Sequence, residues 1–251
     1  QQHIWLLQQV DGPKAYRSAC GVQIDGPLDA NRLRKCLLEI AQRYEILRTT
    51  VRESNTSSQP VQIIDDEAAI DFAELELSDA SRAVLNLSTS SIILDGRSLK
   101  LLVREIAECY EGLSRSPSSS EVAQFADLAE WQNELLHVEE AHTGNEYWQS
   151  QIKQNAADLR LPLEQQHGSR GFKPNFVART LGELGPKLND IAARYETTLP
   201  LLLFACWQVY CWRITEKPDD NVIGVLCDGR THEELSDVLG PFEKYLPIAS
   251  R

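Results

Sequence analysis

Methionine is missing from all 251 residues, position 1 included. The expectation is an excerpt of a longer chain or a sequence from which methionines have dropped out, the second of which would shift some spacings by a residue. Long apolar runs are lacking too. A bilayer-spanning helix needs about 20 consecutive apolar residues, and the longest apolar stretch, 199–212, is interrupted by Pro200, Gln208 and several Cys and Tyr residues. No secretory signal pattern opens the chain, so the expectation is a cytoplasmic location with no membrane partner. Basic residues are short of acidic ones, 25 against 37, for a formal charge of −12. A net negative surface repels phosphates, which argues against a nucleic-acid partner. The six cysteines, Cys20, Cys36, Cys109, Cys206, Cys211 and Cys227, include no CxxC pair and sit in apolar segments. They read as buried free thiols in a reducing compartment. There is no GxxxxGK[ST] and no HExxH, so neither a metal nor a cofactor of its own is expected.

What is present is an ordinary globular composition, 42% hydrophobic and 25% charged, with length for one large domain or two small lobes. Residues 19–24 alternate as a strand and break at Asp25-Gly26-Pro27. Asp29 is placed to cap a helix carrying Leu33, Leu37, Ile40, Ala41 and Tyr44 at helical spacing. The β-branched residues of EILRTTV, 45–51, predict a strand, as do 61–64. Residues 83–87 alternate, and Ile92-Ile93-Leu94 reads as a buried strand ending at Asp95-Gly96. An amphipathic helix follows over 98–110, with further helices over 122–136 and 145–152.

From 154 to 174 polar residues, Gly and Pro mark a linker or crossing segment. Beyond it the pattern predicts a strand over 176–181, a helix over 186–195, a buried helix over 200–214 that is apolar on nearly all sides, a buried strand of parallel type over 221–226, and loop and strand over 240–248. The chain thus divides into 1–153, the segment 154–174, and 175–251. The class is α/β or α+β with two lobes, and a cleft between lobes is a frequent place for a ligand.

Several segments, in order, resemble the condensation domains of nonribosomal peptide synthetases. QQHIWLLQQ at 1–9 is similar to the family's first motif. RYEILRTT at 43–50 resembles RHExLRT, with Tyr44 in place of His. SSIILDG at 90–96 aligns with HHxxxDG. FADLAEWQ at 125–132 with Tyr147-Trp148 resembles YxDYAxWQ…YW, and DNVIG at 220–224, Gly229-Arg230 and GPFEKYLP at 240–247 resemble the DVVIG…GR…GxFxNxLP region. The resemblance implies a two-lobed chloramphenicol-acetyltransferase-like fold, with 1–153 the N-terminal lobe and 175–251 the beginning of the C-terminal one. A full family domain continues past Leu246-Pro247, so the second lobe is expected to be incomplete here. The implied reaction is transfer of an acyl thioester to an amine, with phosphopantetheine delivered by a peptidyl or acyl carrier protein.

At the catalytic-motif positions stand Ser90 and Ser91 where the family has histidines. A serine hydroxyl is no base at neutral pH, whereas general-base catalysis contributes about 10²–10⁴-fold. Asp95 and Gly96 keep the family pattern. The resemblance makes Asp95 structural, paired with Arg230 across the lobes, and makes Gly96 a position without Cβ. Arg97 is a candidate for the tunnel mouth or a solvated residue. Of the five histidines only His232, just after Gly229-Arg230, is a cleft candidate. Trp131, Tyr147, Trp148, Trp207, Tyr210 and Trp212 read as core, and Tyr44 as a packing change.

Two functions follow from this. One is a catalytically degenerate, condensation-like domain that binds a carrier protein, neighbouring synthetase domains or a tailoring enzyme. The other is an active amide-forming or residue-modifying enzyme of the same family with altered chemistry. A free-standing acyltransferase of the wider superfamily also uses HHxxxDG, and the serines argue against it equally.

Overall fold

The structure is a computed structural model that describes residues 1–12, 15–54, 60–74, 82–113, 122–136, 138–154, 177–180, 182–215 and 222–249. By compactness it forms two units, Gln1–Val138 with Asp228–Lys244, and Glu139–Cys227 with Tyr245–Arg251. These are not contiguous halves. The helix that starts at Glu139 goes with the second unit, and the Asp228–Lys244 segment with the first. The division of the chain into 1–153, 154–174 and 175–251 is of another kind and stays an expectation. Residues 155–174 of the crossing segment and the expected strand ends at 176 and 181 lie outside the described residues.

In the first unit the order is α1 (Gln2–Asp11), β1 (Arg17–Asp25), α2 (Ala30–Arg43), a 3₁₀ turn (Glu45–Arg48), β2 (Thr49–Arg52), β3 (Val61–Ile64), β4 (Arg82–Ser90), α3 (Gly96–Glu111) and α4 (Phe125–Leu135). β1 and β4 pair antiparallel from Arg17 opposite Ser90 to Asp25 opposite Arg82, and β2 pairs antiparallel with β3. The strict alternation of β1 turns Ser18, Cys20, Val22 and Ile24 to its less exposed side. α2 begins where the Asp29 carboxylate accepts from the backbone N–H groups of Asn31 and Arg32, at 2.9 and 3.0 Å, a side-chain N-cap. It buries Leu33, Cys36, Leu37, Ile40 and Ala41. α3 buries Leu99, Leu102 and Ile106 and stops at Gly112, whose φ of 76° is the left-handed cap glycine favours. Both helices share one core with Ile46, Leu94, Phe125, Leu239 and Phe242.

One expected strand is shorter than read and another is absent. In EILRTTV only Thr49–Val51 is extended, as part of β2. Glu45–Arg48 turns as a 3₁₀ helix because Gln124 clamps it, accepting from Glu45 N at 3.0 Å and donating to Arg43 O at 3.0 Å, while the Thr49 hydroxyl donates to Glu45 O at 2.7 Å. β4 ends at Ser90, and Ile92-Ile93-Leu94 is not a strand. Ile93 N and Leu94 N both donate to Ser90 O, so the chain turns at once into α3.

The second unit holds α5 (Glu139–Gln154), α6 (Leu184–Arg194), α7 (Leu199–Thr215), β5 (Val222–Cys227) and most of β6 (Lys244–Ala249), which is hydrogen-bonded to β5. Residues 177–180 form no strand. α7 has only Cys211 buried, and Trp207, Tyr210 and Trp212 are 52%, 52% and 45% exposed, so the reading of a buried helix is corrected. β5 is not buried either. Trp131 and Tyr147 are exposed rather than core, and Cys206 is an exposed thiol. Apolar composition alone does not say what covers a face. No helix among the described residues is long and apolar enough to cross a membrane.

Gly240 shows how tightly the Asp228–Lys244 segment packs: a Cβ there would lie 2.1 Å from Phe125 Cδ2. Gly240→Ala is therefore expected to lose about 1–3 kcal/mol by overpacking, read as a lower urea midpoint of the protein with an unchanged slope.

Candidate functional site

The segment Ser90–Gly96 runs from the last residue of β4, through a turn, to the first residue of α3. The chemistry of its two ends differs. At the first end the Ser91 hydroxyl lies 3.0 Å from the Ser18 hydroxyl, brought there by the inward face of β1. Ser91 N donates to Tyr16 O at 2.8 Å. The Ser90 hydroxyl accepts from Gln8 Nε2 at 3.1 Å and from Ile92 N at 3.3 Å, and the same Gln8 nitrogen donates to Ala15 O at 2.9 Å. Both serines are partly buried. Their side-chain partners are thus a hydroxyl and an amide, neither of which takes a proton at neutral pH.

At the other end Asp95 is buried, and its carboxylate gathers five donors. Oδ1 accepts from Ser98 N at 2.7 Å and Arg230 Nη2 at 3.2 Å; Oδ2 accepts from Arg230 Nη1 at 2.8 Å, Phe242 N at 2.9 Å and Glu243 N at 3.2 Å. The bond to Ser98 N makes Asp95 the N-cap of α3. The others tie α3 to the Asp228–Lys244 segment. The Arg230 side chain is 0% exposed and that of Asp95 3%, so this is a buried two-pronged pair. Burial pushes the Asp95 carboxyl up, but the bonds from Arg230 and from Ser98 outweigh it and hold the group below its ordinary range.

Around the pair the packing is equally specific. The Ser98 hydroxyl donates to Gly240 O at 2.7 Å and accepts from Gly240 N at 3.0 Å and Arg230 Nη2 at 2.7 Å. Arg230 Cζ lies 4.3 Å from the centre of the Phe242 ring, which meets Phe125 edge-on at 5.3 Å. Gly229 takes φ 74°, and a Cβ there would sit 2.2 Å from Phe242 O, so the glycine is required twice over. Arg230 Nη1 also donates to Asp228 Oδ1 at 2.9 Å, and the other Asp228 oxygen pairs with Arg97 Nη1. Burial raises the Asp228 carboxyl, and its bonds to Arg230 and Arg97 bring it down below the usual value.

The structure therefore brings Asp95, Gly96 and Arg230 together, all inside the first compact unit, because Asp228–Lys244 packs on α3. Arg97 belongs to the same charge chain, half-exposed. His232 does not join it: it is exposed and precedes the 3₁₀ turn Glu233–Leu235 without capping it through its side chain. The sequence reading missed Ser18, Ser98 and Asp228, and gave Phe242 a place in the GPFEKYLP motif but no role. Ser98 carried a local signal, standing three residues after Asp95. Tyr44 is buried, its hydroxyl pushed up to about 12 by burial and the neighbouring Glu105. Arg43 and Glu105 pair beside it at 2.9 Å.

The family description Condensation domain matches residues 1–90 and 82–251, and the chain belongs to the condensation-domain family. It is 28% identical to bacitracin synthase 2 of Bacillus licheniformis over 100% of its length, and 27% identical to tyrocidine synthase 3 of Brevibacillus parabrevis over 99%. It spans 11% and 4% of those relatives. Among solved structures, it is similar to the condensation domain of the Monacolin K polyketide synthase MokA, with a TM-score of 0.78, 20% identity, and 100% of this chain against 66% of that one. The X-domain from teicoplanin biosynthesis is similar at TM-score 0.77 and 21% identity, covering 99% and 63%; the complex of that X-domain with OxyB gives 0.71, 21%, 99% and 63%. These likenesses are of fold, mixed helix and sheet of the chloramphenicol-acetyltransferase type.

Asp95→Ala leaves the buried Arg230 with Asp228 alone and strips Phe242 N and Glu243 N of their acceptor, and is expected to cost about 3–5 kcal/mol, measured by urea unfolding. Because the folded-state pKa of Asp95 is depressed, its stabilisation is full above the unfolded value of about 4 and is lost as pH falls through the folded value. The stability of the wild-type protein should therefore fall below about pH 4 more steeply than that of Asp95→Ala.

Proposed function

We propose that this is a condensation domain whose transfer chemistry has been given up and whose fold is kept as a docking scaffold within a synthetase. The supporting observation is the contrast between the two ends of one motif: Asp95 is fully engaged in shaping the fold, while Ser90 and Ser91 face a hydroxyl and an amide. Without an imidazole the site lacks a group that exchanges a proton near neutrality. What survives is proximity. The partners proposed are a peptidyl or acyl carrier protein, which brings its own phosphopantetheine, and neighbouring synthetase domains or a tailoring enzyme. The teicoplanin X-domain, similar in fold, forms a complex with OxyB, which supports docking as a use of this fold.

The reading predicts that the full protein binds the holo form of its neighbouring carrier protein in a titration. It also predicts that intact-mass analysis finds a loaded carrier thioester unchanged beyond the buffer control, with an amine acceptor supplied. Consumption of the thioester above that control contradicts the scaffold reading and favours an active amide-forming or residue-modifying enzyme.

A further inference from the structure

A pair of thiols that the proposed function leaves unused meets where α2 packs on α3. The two helices are pinned side by side at both ends of their contact. At one end the Tyr110 hydroxyl accepts from Asp29 N at 2.8 Å, and the Arg32 guanidinium lies 4.9 Å from the centre of the Tyr110 ring. At the other, Arg43 Nη1 pairs with Glu105 at 2.9 Å. Between these anchors stand Cys36 of α2 and Cys109 of α3, both free thiols. Cys109 Sγ donates to Glu39 Oε2 at 3.6 Å, and Glu39 follows Cys36 at the i,i+3 spacing that puts side chains on one face of a helix. The Cys36 thiol is itself within hydrogen-bonding reach of Cys109. Cys36 is buried and Cys109 partly exposed, so an oxidant reaches the pair through Cys109.

The setting guards this pair. Burial, then the Cys36 thiol and the Glu39 carboxylate, push the Cys109 thiol well above its ordinary range. Thiolate is the reactive form, so Cys109 reacts slowly and the pair stays open until oxidant accumulates.

We infer that Cys36 and Cys109 form a redox-sensitive staple, which closes under hydrogen peroxide into a disulfide that ties α2 to α3. Cys109 gives up its proton and attacks a peroxide oxygen; the O–O bond breaks, one water leaves and Cys109 becomes a sulfenic acid. The Cys36 thiol then attacks that sulfur, the S–S bond forms, and the sulfenic hydroxyl departs with the Cys36 proton as a second water. The thiols lose two electrons, and one peroxide is reduced to two waters. Closing the long loop from Cys36 to Cys109 restricts the unfolded chain and stabilises the fold.

The test treats the full protein with hydrogen peroxide, alkylates the remaining thiols in denaturant and maps the digest by mass. The chain lacks methionine, the other common target of peroxide, and the exposed thiol Cys206 reports that oxidant has acted. The expected product is a Cys36–Cys109 cross-linked peptide pair that dithiothreitol separates, with a melting temperature about 5 °C or more above that of the reduced protein. In Cys36→Ala the cross-link and the rise in melting temperature should both be absent, and Cys109 should be captured by dimedone as its sulfenic acid. Cys36 and Cys109 both still alkylated at doses well past full oxidation of Cys206, a bridge from either to another cysteine, or a Cys36–Cys109 bridge that leaves the melting temperature unchanged overturns the inference.

Discussion

A single carboxylate does the work of three structural elements in this protein. Asp95 ends the turn after β4, caps the first turn of α3 through Ser98 N, and receives Arg230, Phe242 N and Glu243 N from a segment about 135 residues away in sequence. Taking an Asp–Arg pair out of water is costly, and such a pair returns that cost only when its geometry is good and its remaining lone pairs are met. Here both oxygens are met, and the arginine lies on the face of Phe242. The two backbone donors matter as much as the guanidinium, because they fix the course of the chain at Phe242 and Glu243 and not merely the position of a side chain.

From that constraint the rest of the first unit follows. Holding Asp228–Lys244 on α3 buries Leu235, Val238, Leu239 and Phe242 in the same core as α2 and α3. It demands glycine at 229 and 240, where backbone meets backbone or an aromatic ring. It also sets Glu243 against Gly96. At the other end of the motif nothing comparable holds Ser90 and Ser91; they join a loose set of hydroxyl and amide contacts with Ser18 and Gln8. Shape and proton chemistry, which a histidine motif combines, are separated along seven residues of chain, 90–96.

Much of this was legible from residue pattern. Asp29 as a cap, the buried faces of α2 and α3, and β3 all lie where periodicity and capping put them, because local chemistry decides them. The Asp95–Arg230 pair was reached through family resemblance, since no local rule links positions so far apart. Long-range clamps were not legible: Gln124 converts Glu45–Arg48 into a 3₁₀ turn against its strand propensity, and Ser18 meets Ser91 only once the β1–β4 register is known. Burial was misjudged for α7, Trp131 and Tyr147, where hydrophobic composition stood in for a covering partner.

Asp95 and Arg230 act as one unit that keeps the fold. A double-mutant cycle in urea on Asp95→Asn, Arg230→Gln and the pair measures it most directly. The account predicts a coupling on the order of 2 kcal/mol or more, with the double variant far less destabilised than the sum of the singles. Effects that add to within about 0.5 kcal/mol would show that the two residues stabilise the protein independently, and the account would be wrong.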